Sequence, residues 1–304
     1  MIKIFGKKID LLPILIFILT LGVYYLTSAG KTPYNYFTRL AASFLKGKYY
    51  LTQNPSWLSE LIPAGEKMFY VVYPPMPAIL SMPFVALLKA NFQQQYLAHL
   101  LGAGVGLLIY KLSLTLNKNR KNAFWALLLT SFGTIIWFLA STGSSWYLGQ
   151  ITATFFLTAA LVESFNKKRV FRVGLFLGAA YLSRVNVAIS FPFFIFFIDS
   201  KNNLKKIFHL GLGILPFILF NFYYNFIRFG TIFDKGYFLL PEVLNETQMP
   251  WFKYGLISPL YISEHLKTIF LATPKIISEF PYIIPSLAGL AIWITTPAFF
   301  YSIF

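Results

Sequence analysis

Between residues 122 and 162 the chain carries no charged side chain, a stretch too long for one membrane crossing and too apolar to face water. A helix needs ~20 mostly apolar residues to cross the ~30 Å hydrocarbon layer, so this run has to turn back on itself. Ser141-Thr142-Gly143-Ser144-Ser145, in its middle, has the composition of such a turn. The chain as a whole is 57% hydrophobic and 12% charged, with a mean hydropathy of +0.63, which excludes a water-soluble enzyme of 304 residues. Its 34 Phe, 19 Tyr and 6 Trp, without a low-complexity tract, exclude disorder and fibres. The apolar runs are continuous and do not alternate, so a transmembrane β-barrel is excluded as well. The predicted class is all-α: one polytopic transmembrane helical bundle over residues 1–304, with about eight membrane helices. With no cysteine in the chain, disulfides, thiolate metal sites and cysteine nucleophiles drop out together.

The formal charge of +16 is first a matter of topology. Lys and Arg fall in short clusters between apolar runs, the distribution of cytoplasmic loops and not of a nucleic-acid-binding face. Lys3, Lys7 and Lys8 precede an apolar run over 11–29. That run exceeds a signal-peptide core and reads as an uncleaved first span entered from the cytoplasm. A second span over 94–116 ends at Lys118, Arg120 and Lys121. Residues 76–88 are short for a span and are broken by Pro77 and Pro83, so they read as a re-entrant or interfacial helix. The uncharged stretch makes spans three and four, a hairpin with its tip outside. Lys167, Lys168, Arg169 and Arg172 then return the chain to the cytoplasmic side. Over 173–198, two short helices meeting near Arg184 keep Lys201, Lys205 and Lys206 inside. Span seven covers 207–224, and a last apolar run over 280–304 has no basic flank, which suggests an incomplete member of a longer architecture. This topology makes a multi-pass protein of the plasma (cytoplasmic) membrane with a cytoplasmic N-terminus. Its first external loop covers about 30–93 and its second external segment about 225–279.

Polar chemistry gathers in those two segments. Thr32-Pro33 reads as a helix start, and Phe37, Leu40, Ala41, Phe44 and Leu45 recur at helical spacing until Gly47. Such a helix either lies on the membrane, with Arg39, Lys46 and Lys48 at lipid phosphates, or packs within the loop. His99, His209 and His265 are too far apart in sequence to suggest a metal site, and His99 reads as a packed helix residue. Gly102-x-x-x-Gly106 and Gly174-x-x-x-Gly178 read as faces for close helix packing.

Several short motifs occur in a telling order: Glu60, the Gly65-to-Tyr70 stretch with Glu66 and Lys67, Tyr73-Pro74-Pro75-Met76-Pro77-Ala78, and later Tyr224-Asn225-Phe-Ile-Arg228-Phe229-Gly230 with Lys235-Gly236-Tyr237. With the long first external loop, they resemble the GT-C class of membrane glycosyltransferases. The nearest branches are the bacterial protein-O-mannosyltransferase-like and aminoarabinose-transferase-like ones. The resemblance implies a GT-C-like domain with interfacial helices in the first loop. It also implies an enzyme that moves a sugar, with inversion, from a polyprenyl-phosphate-linked donor to a lipid, glycan or protein acceptor on the outer face of the membrane.

That chemistry asks for a carboxylate to take the acceptor proton, cations for the carrier phosphate, and a lipid-facing groove. Glu60 falls where such relatives have an acid shortly before the Gly65-to-Tyr70 stretch and is the first candidate base; Glu66 is the second. Arg184, Arg228 and Lys67 are the candidate phosphate ligands, and Tyr70, Tyr73 and Gln150 the candidate groove residues. No cofactor is identified and no metal ligands are assigned, although some members of the class hold a divalent cation with carboxylates. Two departures stand against the pattern: Pro33-Tyr34 where many members have Asp-Glu, and Gln150 where many have an acid. They keep open a catalytically inactive or truncated homologue, beside the other alternative of a lipid-linked-sugar flippase.

Overall fold

The computed structural model describes residues 2–4, 7–9, 11–166, 169–197, 203–284, 286 and 289–302. Lys167, Lys168 and Lys201, counted above with the cytoplasmic basic residues, lie outside the described residues. The structure is predominantly helical. In chain order it comprises β1 (Ile2–Ile4), β2 (Lys7–Ile9), α1 (Leu12–Leu26), α2 (Tyr36–Phe44), β3 (Leu61–Gly65), β4 (Met68–Val71), α3 (Met76–Leu88), α4 (Gln94–Asn117), α5 (Arg120–Phe132), α6 (Ile136–Thr142), α7 (Ser145–Asn166), α8 (Val170–Tyr181), α9 (Phe191–Phe197), α10 (Asn203–Phe229) and α11 (Gly236–Val243). After these come α12 (Ile262–Leu271), β5 (Lys275–Ile276), β6 (Ile283–Ile284) and α13 (Ile292–Thr295). Among the described residues every strand belongs to a two-stranded antiparallel hairpin, so no sheet competes with the bundle.

Three helices are long and apolar enough to cross a membrane: Gln94–Asn117, Ser145–Phe165 and Leu204–Phe229. The pair α5 and α6, bent by 56° at Gly133, makes a fourth if taken as one span. Of the about eight membrane helices expected, three or four have spanning length. At 1.5 Å per residue, the 15 residues of α1 reach only about 22 Å, and α3, α8 and α9 are shorter still. The last apolar run departs further. Instead of one long helix over 280–304, its described residues form β6, the four-residue α13 and a 3-10 turn over Pro297–Ser302.

Other expectations match the elements. The uncharged stretch turns where its small polar residues lie, with α6 ending at Thr142, Gly143 at φ +59° and α7 starting at Ser145. Arg184 sits between α8 and the 3-10 turn Val185–Ser190 that leads into α9. The first loop contains a helix, but it starts at Tyr36 and not at Thr32-Pro33, because Thr32 Oγ1 accepts the Tyr34 N–H (3.2 Å) and the Tyr34 carbonyl is held by α7. Nor does α2 rest its apolar face on lipid. Tyr36, Phe37, Leu40 and Ala41 are all at most 1% exposed, in one core with Leu51, Leu61, Val71, Ala78, Leu97 and Leu148. The first loop is thus part of the packed protein, seated on α3, α4 and α7.

Glycine determines how closely the other half packs. A Cβ on Gly174 would lie 2.2 Å from the Leu210 carbonyl oxygen and 2.9 Å from the Gly213 Cα, so α8 and α10 touch backbone to backbone. Beside that contact Ala160, Val173, Leu177, Phe194, Leu210 and Ile214 form a second core. Gly102 plays the same part for α1, with Tyr24 3.0 Å from a Cβ placed there, and the Tyr24 hydroxyl donates to the Ser131 carbonyl at 3.0 Å. Gly174→Ala is expected to lower stability by about 1–3 kcal/mol through overpacking. Gly211→Ala, next to Leu210 on α10 but with nothing within 4 Å, is expected to change it by less than about 0.5 kcal/mol. Thermal unfolding of the two variants in the same detergent checks the pair.

Candidate functional site

The loops and helix ends that carry the polar residues meet at one end of the bundle. The starts of α4 and α7 and the ends of α8 and α10 lie there, while Lys118, Arg169, Lys205 and Lys206 lie at the opposite ends of the same helices, with Arg120 and Lys121 at the start of α5 just after α4. A buried junction fixes the first loop to this end. Gln94 Nε2 donates to the Gly143 carbonyl (2.8 Å) and the Tyr34 carbonyl (3.2 Å), and Ser145 Oγ donates to the same Tyr34 oxygen (2.8 Å). Ser145 Oγ in turn accepts the Tyr36 N–H at 3.0 Å. All these groups would cost free energy if buried unpaired, so their mutual bonding defines one seating of α2 against α7.

Glu60 is placed from that seating. Its backbone N–H donates to the Tyr36 hydroxyl (3.1 Å), and its carboxylate Oε2 accepts the indole N–H of Trp146 (2.9 Å). Burial pushes the Tyr36 phenol up to about 12, so it stays neutral in this network. Burial also raises the Glu60 carboxyl above the ordinary carboxylate value. The Trp146 hydrogen bond opposes that rise, the Glu246 carboxylate adds to it and the Arg184 guanidinium opposes it.

Arg184 is held from the other side of the same tryptophan, with Nη2 donating to the Trp146 carbonyl at 2.6 Å. Its guanidinium carbon lies 6.0 Å from the Tyr73 ring. The guanidinium crosses the first turn of α7 because residue 149 is glycine; a Cβ there would stand 3.0 Å from Arg184 Nε. Arg184, Gln150, Val185, Asn186 and Tyr237 line an open cavity of about 320 Å³. Two buried polar atoms here lack partners, Arg184 Nε and the Tyr73 hydroxyl. Nε is shut in against Gly149, so Arg184 lines the cavity through the rest of its side chain. Tyr237, raised by its own burial and drawn down by Arg184, closes the cavity from α11.

The other candidates are placed differently. Arg228 is 6% exposed and engaged within the fold. Its Nη1 donates to the Val71 carbonyl (2.9 Å), Nη2 to Asn225 Oδ1 (2.8 Å) and Nε to the Tyr224 carbonyl (3.3 Å), with Asp234 at 3.8 Å. It joins α10 to the β3–β4 hairpin and to the stretch that follows α10. Glu66 and Lys67 form the exposed turn between β3 and β4, at the end of the hairpin away from Glu60. Tyr70 packs edge-on against Phe229 (5.6 Å), and Tyr73 is buried against Tyr36 and Phe37. Gln150 is exposed and lines the cavity. Sequence reasoning named Tyr237 only as part of the Lys235-Gly236-Tyr237 motif and gave no role to Trp146, Asn186 or Glu246. Trp146 alone gave a signal, as a polar-edged aromatic next to a predicted outer turn. Among the described residues no three His, Asp or Glu side chains converge.

No family model, curated protein or solved structure matches the chain.

Because Glu60 binds its proton more tightly in the fold than in the unfolded chain, the bound proton favours folding. That contribution is lost as pH rises from the ordinary carboxylate value through the raised folded one. Glu60→Gln keeps the shape and does not titrate, so its melting temperature relative to wild type should rise between pH 4 and pH 7. A difference independent of pH would show that Glu60 is effectively solvated.

Proposed function

We propose that the chain is a GT-C-like glycosyltransferase of the cytoplasmic membrane, with its N-terminus inside. It moves a sugar from a polyprenyl-phosphate carrier to a lipid, glycan or protein acceptor on the outer face. The observation that carries this reading is Trp146 holding a carboxylate, Glu60, through its indole and a cation, Arg184, through its carbonyl, beside an open cavity. The clustering of Lys and Arg in the short loops at the other end of the helices, Lys118 to Lys121, Arg169 and Lys205–Lys206, supports an outer site by the positive-inside rule, which is read from short loops. So does the apolar middle of the three long helices, since a flippase would place ionisable groups there.

In the proposed step the acceptor hydroxyl oxygen bonds to the anomeric carbon from the face opposite the carrier. The bond from that carbon to the phosphate oxygen breaks, and its electron pair leaves with the phosphate. The hydroxyl proton passes to Glu60, whose raised pKa makes it a stronger base than an ordinary carboxylate. Arg184, which lines the cavity, faces the charge that develops on the departing phosphate. Gln150 and Asn186 supply hydrogen bonds to the sugar from the cavity wall. Gln150, neutral where many relatives carry an acid, points to an acceptor subsite of altered polarity.

The test is sugar release in membranes from a panel of polyprenyl-phosphate hexoses and pentoses, compared between wild type and variants of equal expression. Glu60→Gln is expected to lower kcat about 10²–10⁴-fold with little change in KM. Trp146→Phe is expected to move the acid limb of the rate profile to higher pH, because it removes the hydrogen bond that favours ionised Glu60. Wild-type rates in Glu60→Gln would overturn the assignment. Transfer of intact carrier across vesicles, with no sugar released, would favour the flippase.

A further inference from the structure

A second feature of the first loop takes no part in the proposed transfer. Along 43–49 the chain turns out of α2, and successive side chains face two different hollows. Ser43, Lys46 and Lys48, with Arg39, Thr52 and Gln53, line an open pocket of about 240 Å³. Phe44, Gly47 and Tyr49, with Ile79, Met82 and Phe220, line an apolar one of about 290 Å³. Neither hollow shares a residue with the Arg184 cavity.

The first hollow is cationic and uncompensated. Arg39 is steadied by Nε donating to Asn35 Oδ1 (2.8 Å) and Nη1 to Gln53 Oε1 (3.4 Å), which orients the guanidinium without neutralising it. Among the described residues no carboxylate is ion-paired with Arg39, Lys46 or Lys48. Three like charges around one pocket repel and favour an anion between them. The second hollow runs along the seam of α3 and α10. Ile79 and Met82 are about one turn apart on α3, and Phe220 lies one turn deeper in α10 than Tyr224. Cations lining one hollow and apolar side chains lining the other, on neighbouring residues of one short segment, match a molecule with a charged head and a long apolar tail, and a free anion would leave the apolar hollow uncovered. The apolar face of α2 is spent inside the protein, so lipid contact here is confined to this site and not spread along the helix.

We propose that these two hollows form one site for an anionic phospholipid. Its phosphodiester is held by Arg39, Lys46 and Lys48, and one acyl chain lies against Phe44, Met82 and Phe220. The bound lipid would fasten the first loop to the bilayer independently of any transfer reaction.

Native mass spectrometry of the purified full chain, titrated with dioctanoyl phosphatidylglycerol or dioctanoyl phosphatidylcholine, tests this. Wild type is expected to retain one phosphatidylglycerol in clear preference to phosphatidylcholine. The exposed pair Lys46→Gln/Lys48→Gln should weaken phosphatidylglycerol retention roughly tenfold or more. Met82→Trp, which fills the seam and leaves the charges, should weaken both lipids, while Arg184→Gln should change neither. Inorganic phosphate should not displace the lipid. Displacement by phosphate at comparable concentration would show a free-anion site, and wild-type retention in both the lysine pair and Met82→Trp would show no site; either result overturns the proposal.

Discussion

One buried hydroxyl holds the candidate site together. Ser145 Oγ, at the first residue of α7, bonds to the Tyr34 carbonyl and the Tyr36 N–H. The Tyr36 hydroxyl then receives the Glu60 N–H, and the Glu60 carboxylate receives the indole N–H of Trp146, the next residue after Ser145. The path closes on itself. Two segments more than a hundred residues apart are therefore tied by a ring of hydrogen bonds in which every buried member has its partner. A ring of this kind is costly to leave half made, so it specifies one arrangement of loop on bundle. The carboxylate and the guanidinium stand together only because they share Trp146.

The two arginines at this end of the molecule show what separates a structural cation from a candidate binding one. Both come from predominantly apolar stretches, and both must recover the hydration lost on burial. Arg228 recovers it from the fold, by two carbonyls, an asparagine and an aspartate, with the Tyr224 ring 3.8 Å away. Arg184 recovers only part, from one carbonyl and neighbouring tyrosines, and lines an open cavity. Residue type and position along the chain do not distinguish the two; the inventory of partners does.

Much of the helical layout was legible because it rests on local signals. Ser141-to-Ser145 marked the turn into α7, Pro77 and Pro83 marked the short α3, and the glycines at 174 and 178 marked the close approach of α8 to α10. Glu60 and Arg184 were likewise within reach as charged residues beside predicted outer turns. Tertiary effects were not. The inward seating of α2 depends on Tyr34 being captured by Gln94 and Ser145, and nothing in the spacing of Phe37, Leu40 and Ala41 tells a lipid surface from a protein one. The β3–β4 hairpin, which carries Glu66 and Lys67 to an exposed tip, hides in a segment whose prolines obscure its alternation. Only three or four of the expected membrane helices reach spanning length, for a related reason. Hydropathy reports burial, whether in lipid or protein, and several apolar runs here are too short or too broken to be full crossings.

The central claim is that Glu60 and Arg184 share the outer face of a membrane, opposite the basic ends of the helices. A chain without cysteine allows that to be read directly. Single cysteines at Ser56 in the first loop, at Asn186 beside Arg184 and at Asn119 between α4 and α5 all occupy exposed positions. Intact cells treated with a membrane-impermeant maleimide should label Ser56→Cys and Asn186→Cys, and should leave Asn119→Cys unlabelled until the membrane is permeabilised. Opposite labelling of Ser56→Cys and Asn186→Cys would divide the site between two faces and contradict the account.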